Sequence, residues 1–278
     1  MSSADAYRES KNTPHKQLSF YQILANLFAI IGAIRNKPVK KGDPNWAKNT
    51  NPIYFDLFAG PGVNKAGNPG SPLIFLEVAR LQNYLIESHF YEKDPVSVAS
   101  LNRCIDNFVD YPKNVQCVVH PECNQHVDKV LMGYSAKESS LWRFGIAYAD
   151  PSDADLNAAL YPLQRIAATY PRVDLVLNYA AASWKRQKEL HHYRNLLQYL
   201  VETGKSKWFI RKPIDRFQWT MLMGTNFLSF SADEKRYWFD VDSAEGDALL
   251  KKVAFTREEL DGSDSNEDLL SQLPLWGK

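Results

Sequence analysis

Ile53-Tyr54-Phe55-Asp56-Leu57-Phe58-Ala59-Gly60-Pro61-Gly62 is the stretch that decides the fold. A β-branched and aromatic run ends in an acid and breaks into Gly-Pro-Gly, the pattern of a buried strand feeding a tight ligand loop. Ligands of open α/β sheets bind at the carboxyl ends of the strands, where a glycine admits a backbone approach that a Cβ would block. Residues 56 to 62 are therefore the first candidate for a cofactor site.

The units that follow repeat the pattern. Ser71-Pro72 reads as an N-cap with proline at the first helical position, and Leu73, Leu76, Ala79, Leu81 and Leu85 carry that helix to about Tyr84. Ser88 to Tyr91 is a second strand ending at Glu92, and Asp94-Pro95 opens a helix through Leu101 and Ile105. Val115 to Val119 leads to a helix around Asn124 to Met132. Phe144 to Ala149 ends at Asp150-Pro151 before a helix over Leu156 to Ala168, and Val173 to Leu177 ends at Asn178. Five strand-then-helix units with polar residues at the strands' carboxyl ends predict a doubly wound, Rossmann-like, mostly parallel α/β sheet.

Ahead of the first strand, Phe20, Ile23, Leu24, Leu27, Ile30, Ile31 and Ile34 recur at three and four spacing in a helix from His15, which should cover one face of the sheet. A basic connector, Arg35 to Asn51, follows. The last third predicts a helix from Arg186 to Val201 and an antiparallel pair formed by Phe217 to Met223 and Arg236 to Val241. From Glu245 the chain is acidic and reads as a solvated helix and loop. The chain thus divides into an N-terminal extension (1–50), an α/β domain (51–244) and an acidic C-terminal tail (245–278).

A formal net charge of +1 over 278 residues argues against a globally basic nucleic-acid binder and leaves room for local patches. Three cysteines, Cys104, Cys117 and Cys123, do not make a disulfide framework and point to a reducing compartment. The most apolar window, Leu18 to Ile34, has 17 residues and contains Gln22 and Asn26. A bilayer span needs about 20 apolar residues, so the expectation is a buried helix, no membrane and a cytoplasmic protein.

The dinucleotide fingerprint G-x-G-x-x-G needs a third glycine and a helix N-terminus aimed at a pyrophosphate. Lys65 holds that position here, and the next helix starts several residues later. Glu92 closes the second strand, where an acid can accept both ribose hydroxyls of an adenosine ligand. Cys117, His120, Cys123 and His126 recur every third residue, but a segment passing from strand to helix does not converge them on one tetrahedron; no metal is expected.

Tyr54 to Gly62, then Gly70-Ser71-Pro72-Leu73-Ile74, then Tyr91-Glu92-Lys93-Asp94 resemble the three-Cys-motif partner proteins (TcmP-like), a bacterial and phage family with a class I methyltransferase-like fold. His15-Lys16, Asn124, Asp150-Pro151 and Leu175 to Asn178 also match. The resemblance implies an S-adenosylmethionine site: Asp56, Phe58, Ala59, Gly60 and Gly62 around the amino-acid moiety, Glu92 on the ribose, Glu122 or Asn124 near the adenine, and Asp150-Pro151 facing the methyl group. Two departures stand out. Glu122 replaces the family's usual Asp, and Ser152-Asp153 follows Asp150-Pro151 in place of an aromatic or proline and glycine.

Amino-methyltransferases acting on exposed bases place a polar residue and proline after the fourth strand, with an aromatic that stacks on the base. Asp150-Pro151 supplies the first half, leaving Tyr148, Tyr179 or Trp184 to stack. Trp184, Lys185, Arg186, Lys188, His191, His192 and Arg194, and then Lys205, Lys207, Trp208, Arg211, Lys212, Arg216 and Trp219, interleave bases with aromatics as a nucleic-acid surface would. A solvated helix face with its tryptophans in the core gives the same pattern. The functional expectation is a methyltransferase acting on nucleic acid. A non-catalytic partner or regulatory protein that keeps the fold is the alternative, with a neighbouring gene product as its protein partner; a nicotinamide-dependent oxidoreductase is the third.

Overall fold

The structure, a computed structural model, describes residues 13–36, 51–108, 111–132, 143–151, 156–180, 200–212, 219–226 and 237–254. Strand β1 (Ile53–Asp56) is buried at every position. Tyr54 faces one side of the sheet and Phe55 the other, as the two-residue period of a strand dictates. The same two-sided burial makes β2 (Ile86–Tyr91), β4 (Phe144–Ala149) and β5 (Arg172–Tyr179) continuous rather than alternating runs. Edge strand β3 (Val115–His120) is buried at Val115, exposed at Gln116 and half-buried from there on.

These five strands are parallel, and the full order is β3-β2-β1-β4-β5-β7-β6-β8. The chain builds outward from β1 to β3 and then returns to lay β4 against the other side of β1. The order therefore reverses between β1 and β4. This is the doubly wound, mostly parallel, Rossmann-like α/β fold expected from the alternation.

The C-terminal strands are antiparallel, but their pairing differs from the expectation. Strands β7 (Thr220–Thr225) and β8 (Trp238–Asp240) do not pair with each other. Strand β6 (Lys207–Arg211) lies between them and is antiparallel to both, and β7 joins the sheet antiparallel to β5. Its buried run Trp208-Phe209-Ile210 is three residues long between basic residues, too short to show a period.

One face is covered by α1 (Thr13–Asn36), α2 (Ser71–Ala79) and α3 (Pro95–Asp106), whose Phe20, Leu24, Phe75 and Leu101 pack on Tyr54, Phe90, Tyr148 and Val176. Over Lys16–Asn36, α1 is long and apolar enough to cross a bilayer, yet Phe20, Leu24, Phe28 and Ile31 are buried against the sheet and α2. The other face takes α4 (Val127–Met132), α5 (Leu156–Thr169) and α6 (Ala244–Ala254), through Leu131, Leu163, Ile166, Leu250 and Val253. Helix α6 thus buries an apolar stripe in a segment that reads from sequence as solvated.

Helix starts follow the sequence signals. Asp94 caps α3 by accepting from the Ser97 amide at 3.0 Å, with Pro95 behind it. Helix α2 is capped by Gly70 rather than Ser71, and it stops at Ala79 instead of about Tyr84. The leucines that prolong its apolar pattern, Leu81 and Leu85, are 63% and 43% exposed. The predicted helix from Arg186 and the basic connector lie outside the described residues, apart from their ends at 200–202 and 35–36.

Candidate active site at the reversal of strand order

In doubly wound sheets the crevice at the reversal of strand order receives the ligand. Here it is flanked by the ends of β1 and β4, hence by Asp56 and Asp150. Asp56 is fully buried. Its Oδ2 accepts from the Tyr54 hydroxyl at 3.1 Å, its Oδ1 accepts from the Phe58 amide at 3.3 Å, and the Ser71 hydroxyl also bonds to it. Burial pushes this carboxyl up to about 7, which the three donors oppose and Asp150 reinforces. Ser71, one residue inside α2, therefore serves Asp56 instead of the helix cap.

The loop after Asp56 is fixed to both neighbouring strands. The Leu57 amide donates to Tyr148 O at 2.9 Å, and the Ala59 amide donates to Tyr91 O at 3.0 Å. Phe58 is half-buried and packs against the core on the face that carries α4, α5 and α6. Gly60 and Gly62 have φ of 63° and 86°, the left-handed region that favours glycine. A Cβ on Gly62 would also stand 3.0 Å from Cys104 Cβ of α3, so this glycine answers to helix packing. Asn64 closes the following turn by accepting from the Ala66 and Asn68 amides, and the Gly70 amide returns to Gly62 O at 2.7 Å.

Asp150 keeps 36% of its side chain exposed. Its Oδ1 accepts from the Asn178 amide and lies 3.8 Å from Lys16 Nζ of α1, and the Tyr148 hydroxyl bonds to the same carboxylate. Asn178 in turn accepts from the Trp219 indole, and Lys16 Nζ sits 5.9 Å from that ring's centroid. Gln17 donates to Pro69 O at 2.6 Å, and Phe20 stacks on Tyr148 with 4.1 Å between centroids. The first turns of α1 thereby join the glycine-loop region to Asp150. Pro151 is buried.

Of the residues implied for an S-adenosyl ligand, some fit and some are engaged elsewhere. Glu92 is half-buried at the end of β2, beside the loop; its Oε1 accepts from the Asp94 amide at 2.8 Å, and the rest of the carboxylate suits ribose hydroxyls. Gly60 supplies the turned backbone. Asn124 is buried and donates to Leu57 O at 3.0 Å, which makes it a brace for the loop rather than an adenine contact. Glu122 pairs with Lys129 and with His126 at 3.0 Å, and Lys129, ahead of His126, holds its carboxyl below the usual range. The residues present fit the ribose and loop ends of the cofactor, while the pair expected at the adenine bonds to protein.

Tyr148 and Tyr179 are buried, so neither ring is presented for stacking on a base. Trp184 and Arg186 lie outside the described residues, with 185–194 and Arg216. The rest of the interleaved segment is mostly interior. Trp208 and Trp219 are core residues, and Lys205 is buried, donating to Pro171 O at 3.0 Å and Val173 O at 2.6 Å. Lys207 and Lys212 are exposed. The tryptophans here fill the core and do not form a stacking surface.

Among the described residues no three His, Cys, Asp or Glu side chains gather as a metal site. Cys117 meets Ser88, His120 meets His89, Cys123 meets Asn124 and His126 meets Glu122, four separate partners. Sequence reasoning missed the chain that includes His120. Arg143 pairs with Glu87, Glu87 Oε1 lies 2.8 Å from His89 Nε2, and His89 Nδ1 lies 3.0 Å from His120 Nε2. Burial, then the neighbouring His89, pushes His120 down to about 4. The available signal was Glu87-Ser88-His89, polar residues inside an otherwise buried strand that require partners.

No family model matches the chain, and no curated protein does. Solved structures align over much of it. Protein LPL1258 from Legionella pneumophila gives a TM-score of 0.48 at 11% identity, covering 87% of this chain and 92% of that one. An rRNA methylase from Streptococcus thermophilus gives 0.39 at 10%, covering 64% and 88%. The methyltransferase domain of METTL16 gives 0.41 at 13%, covering 76% and 68%.

Proposed function

We propose that this protein is an S-adenosylmethionine-dependent methyltransferase whose acceptor is an amine of a nucleic-acid base. The observation that carries the reading is the meeting, where strand order reverses, of the Gly60 loop after β1, the Glu92 carboxylate after β2 and Asp150-Pro151 after β4. The resemblance of the loop to the three-Cys-motif partner proteins supports the choice of cofactor.

When bound, the cofactor supplies a methyl group activated by its sulfonium. Glu92 accepts from the ribose, and the backbone from Phe58 to Gly60 seats the amino-acid end. Asp150, aimed by Asn178 and Tyr148, accepts hydrogen bonds from the attacking amine and orients its lone pair for in-line displacement. Exposed Lys207 and Lys212 are cations a phosphate backbone could meet.

A second reading has its own observation. Asn178, Tyr148 and Lys16 already engage the Asp150 carboxylate, as in a fold kept for partner binding without transfer. Melting with S-adenosylhomocysteine, followed by labelled-methyl transfer to DNA and RNA pools, decides between them. The enzyme reading expects a raised Tm and incorporation that Asp150→Ala abolishes. No shift at millimolar ligand defeats the enzyme reading, and incorporation that Asp150→Ala abolishes defeats the partner protein.

A further inference from the structure

We infer that the corner around Asp56 lacks one positive charge, that the cationic end of the S-adenosyl ligand supplies it, and that binding therefore expels a proton from Asp56. The inference rests on the reading of this corner as an S-adenosylmethionine site and adds the charge linkage that governs it.

The Asp56 carboxyl is entirely buried, and its hydrogen bonds come from three neutral donors: the Tyr54 hydroxyl, the Ser71 hydroxyl and the Phe58 amide. Among the described residues no lysine, arginine or histidine pairs with it. The charge that acts on it is another carboxylate, Asp150. Strand β2, paired with β1, ends at the Glu92 carboxylate, which accepts from the Asp94 amide and adds no positive charge. Strand β1 brings Tyr54 and strand β4 brings Tyr148, two phenols that burial holds neutral above their usual range. Helix α2 brings a hydroxyl and β5 an amide, Asn178. Helix α1 brings Lys16, the one cation here among the described residues, whose ammonium is committed to Asp150 at 3.8 Å.

Asp56 and Asp150, with the Lys16 ammonium between them, would if both ionised be at least one positive charge short. A buried carboxyl without a counter-ion keeps its proton, consistent with a carboxyl raised to about 7. The Phe58 amide that bonds Asp56 belongs to the loop that would seat the ligand, so a cation arriving there sits beside this carboxyl. The O–H bond then breaks, the proton passes to the buffer, and carboxylate and ligand cation form the pair. The ligand has two cationic groups, the α-ammonium and the sulfonium. S-adenosylhomocysteine keeps the first alone, and 5′-methylthioadenosine has neither.

The test is titration calorimetry on the full chain at pH 6 to 8.5, in phosphate and in imidazole, whose different ionisation enthalpies reveal released protons. The expected result is release approaching one proton per ligand near pH 6 and vanishing by pH 8.5, with affinity rising about tenfold per pH unit below 7. Release with both S-adenosylmethionine and S-adenosylhomocysteine assigns the ammonium, and release with S-adenosylmethionine alone assigns the sulfonium; either supports the inference. Asp56→Asn should remove the buffer dependence whatever its affinity, and if that variant does not fold, 5′-methylthioadenosine serves as the control that releases none. Binding of both S-adenosyl ligands without buffer-dependent heat overturns the inference and leaves the proposed function standing. Failure of either ligand to bind removes the function and the inference together.

Discussion

Asp56→Asn should stabilise the protein increasingly from about pH 4 up to about pH 7, hold that gain above it, and leave stability unchanged only below the unfolded carboxyl's 3.8. In the folded state the carboxyl is raised from 3.8 to about 7. The native state therefore holds this proton more tightly than the unfolded chain does. Its stabilising effect is complete below the unfolded value and is lost as pH rises through 7. A shift of about three units, at about 1.36 kcal/mol each, is a penalty of about 4 kcal/mol at pH 8. The side chain is fully buried, so solvent does not screen it. Asparagine can keep the acceptor for the Phe58 amide while its own amide donates to the Tyr54 and Ser71 oxygens, which can turn and accept. At about 2–4 °C per kcal/mol, the variant should melt on the order of 10 °C higher at pH 8. Thermal melts of both proteins from pH 5 to 8.5 provide the assay. The difference between the two curves isolates this residue from other groups that titrate in the window. Curves that stay parallel from pH 5 to 8.5 would refute the assignment of a neutral Asp56.

Glu92→Gln should weaken S-adenosylhomocysteine binding by about ten- to a hundredfold, the worth of a hydrogen bond to a charged group, with little change in Tm, because glutamine can still accept from the Asp94 amide; unchanged affinity by calorimetry would remove Glu92 from the ribose. Lys205→Met should cost about 3–5 kcal/mol in denaturant melts, since it removes the donor that Lys205 gives Pro171 O and Val173 O and the cation whose field lowers the buried Asp174 carboxyl, and Asp174→Asn on top should restore part of the loss; strictly additive effects would show that Lys205 and Asp174 do not interact. His120 should titrate in NMR near 4 rather than 6.5, with stability falling as pH drops through that interval. Its ring is partly exposed, so screening reduces the effect to about 1–2 kcal/mol. A titration midpoint near 6.5 would contradict its bond to His89.

What the sequence revealed was the local part of the fold. Asp94-Pro95 and Asp150-Pro151 mark chain ends of strands without reference to anything distant, and the continuous apolar runs of β1, β4 and β5 announce burial on both faces. Strand β6 escaped because three buried residues between lysine and arginine carry no period, and because the neighbours of an antiparallel strand are not encoded nearby. The end of α2 was misplaced because Leu81 and Leu85 extend a helical pattern while lying largely in solvent. The candidate site was legible at Gly60, Glu92 and Asp150, which sit at strand ends. It was illegible where function depends on who meets whom. Asn124 reaches Leu57, Ser71 reaches Asp56, and Trp219 reaches Asn178, and nothing in the spacing of these residues separates a ligand contact from a brace.

Lys16 and Trp219 approach one another over Asp150 although about two hundred residues of chain separate them. A ribosome delivers the second of these partners only after all five parallel strands have emerged. Folded only through β5, a nascent chain would own its glycine loop, Glu92 and Asp150, but Asn178 would still await the indole that fixes its amide. The brace on Asp150 would then be completed only as the chain reaches β7, and a product cut short before Trp219 would hold the glycine loop and Asp150 without it.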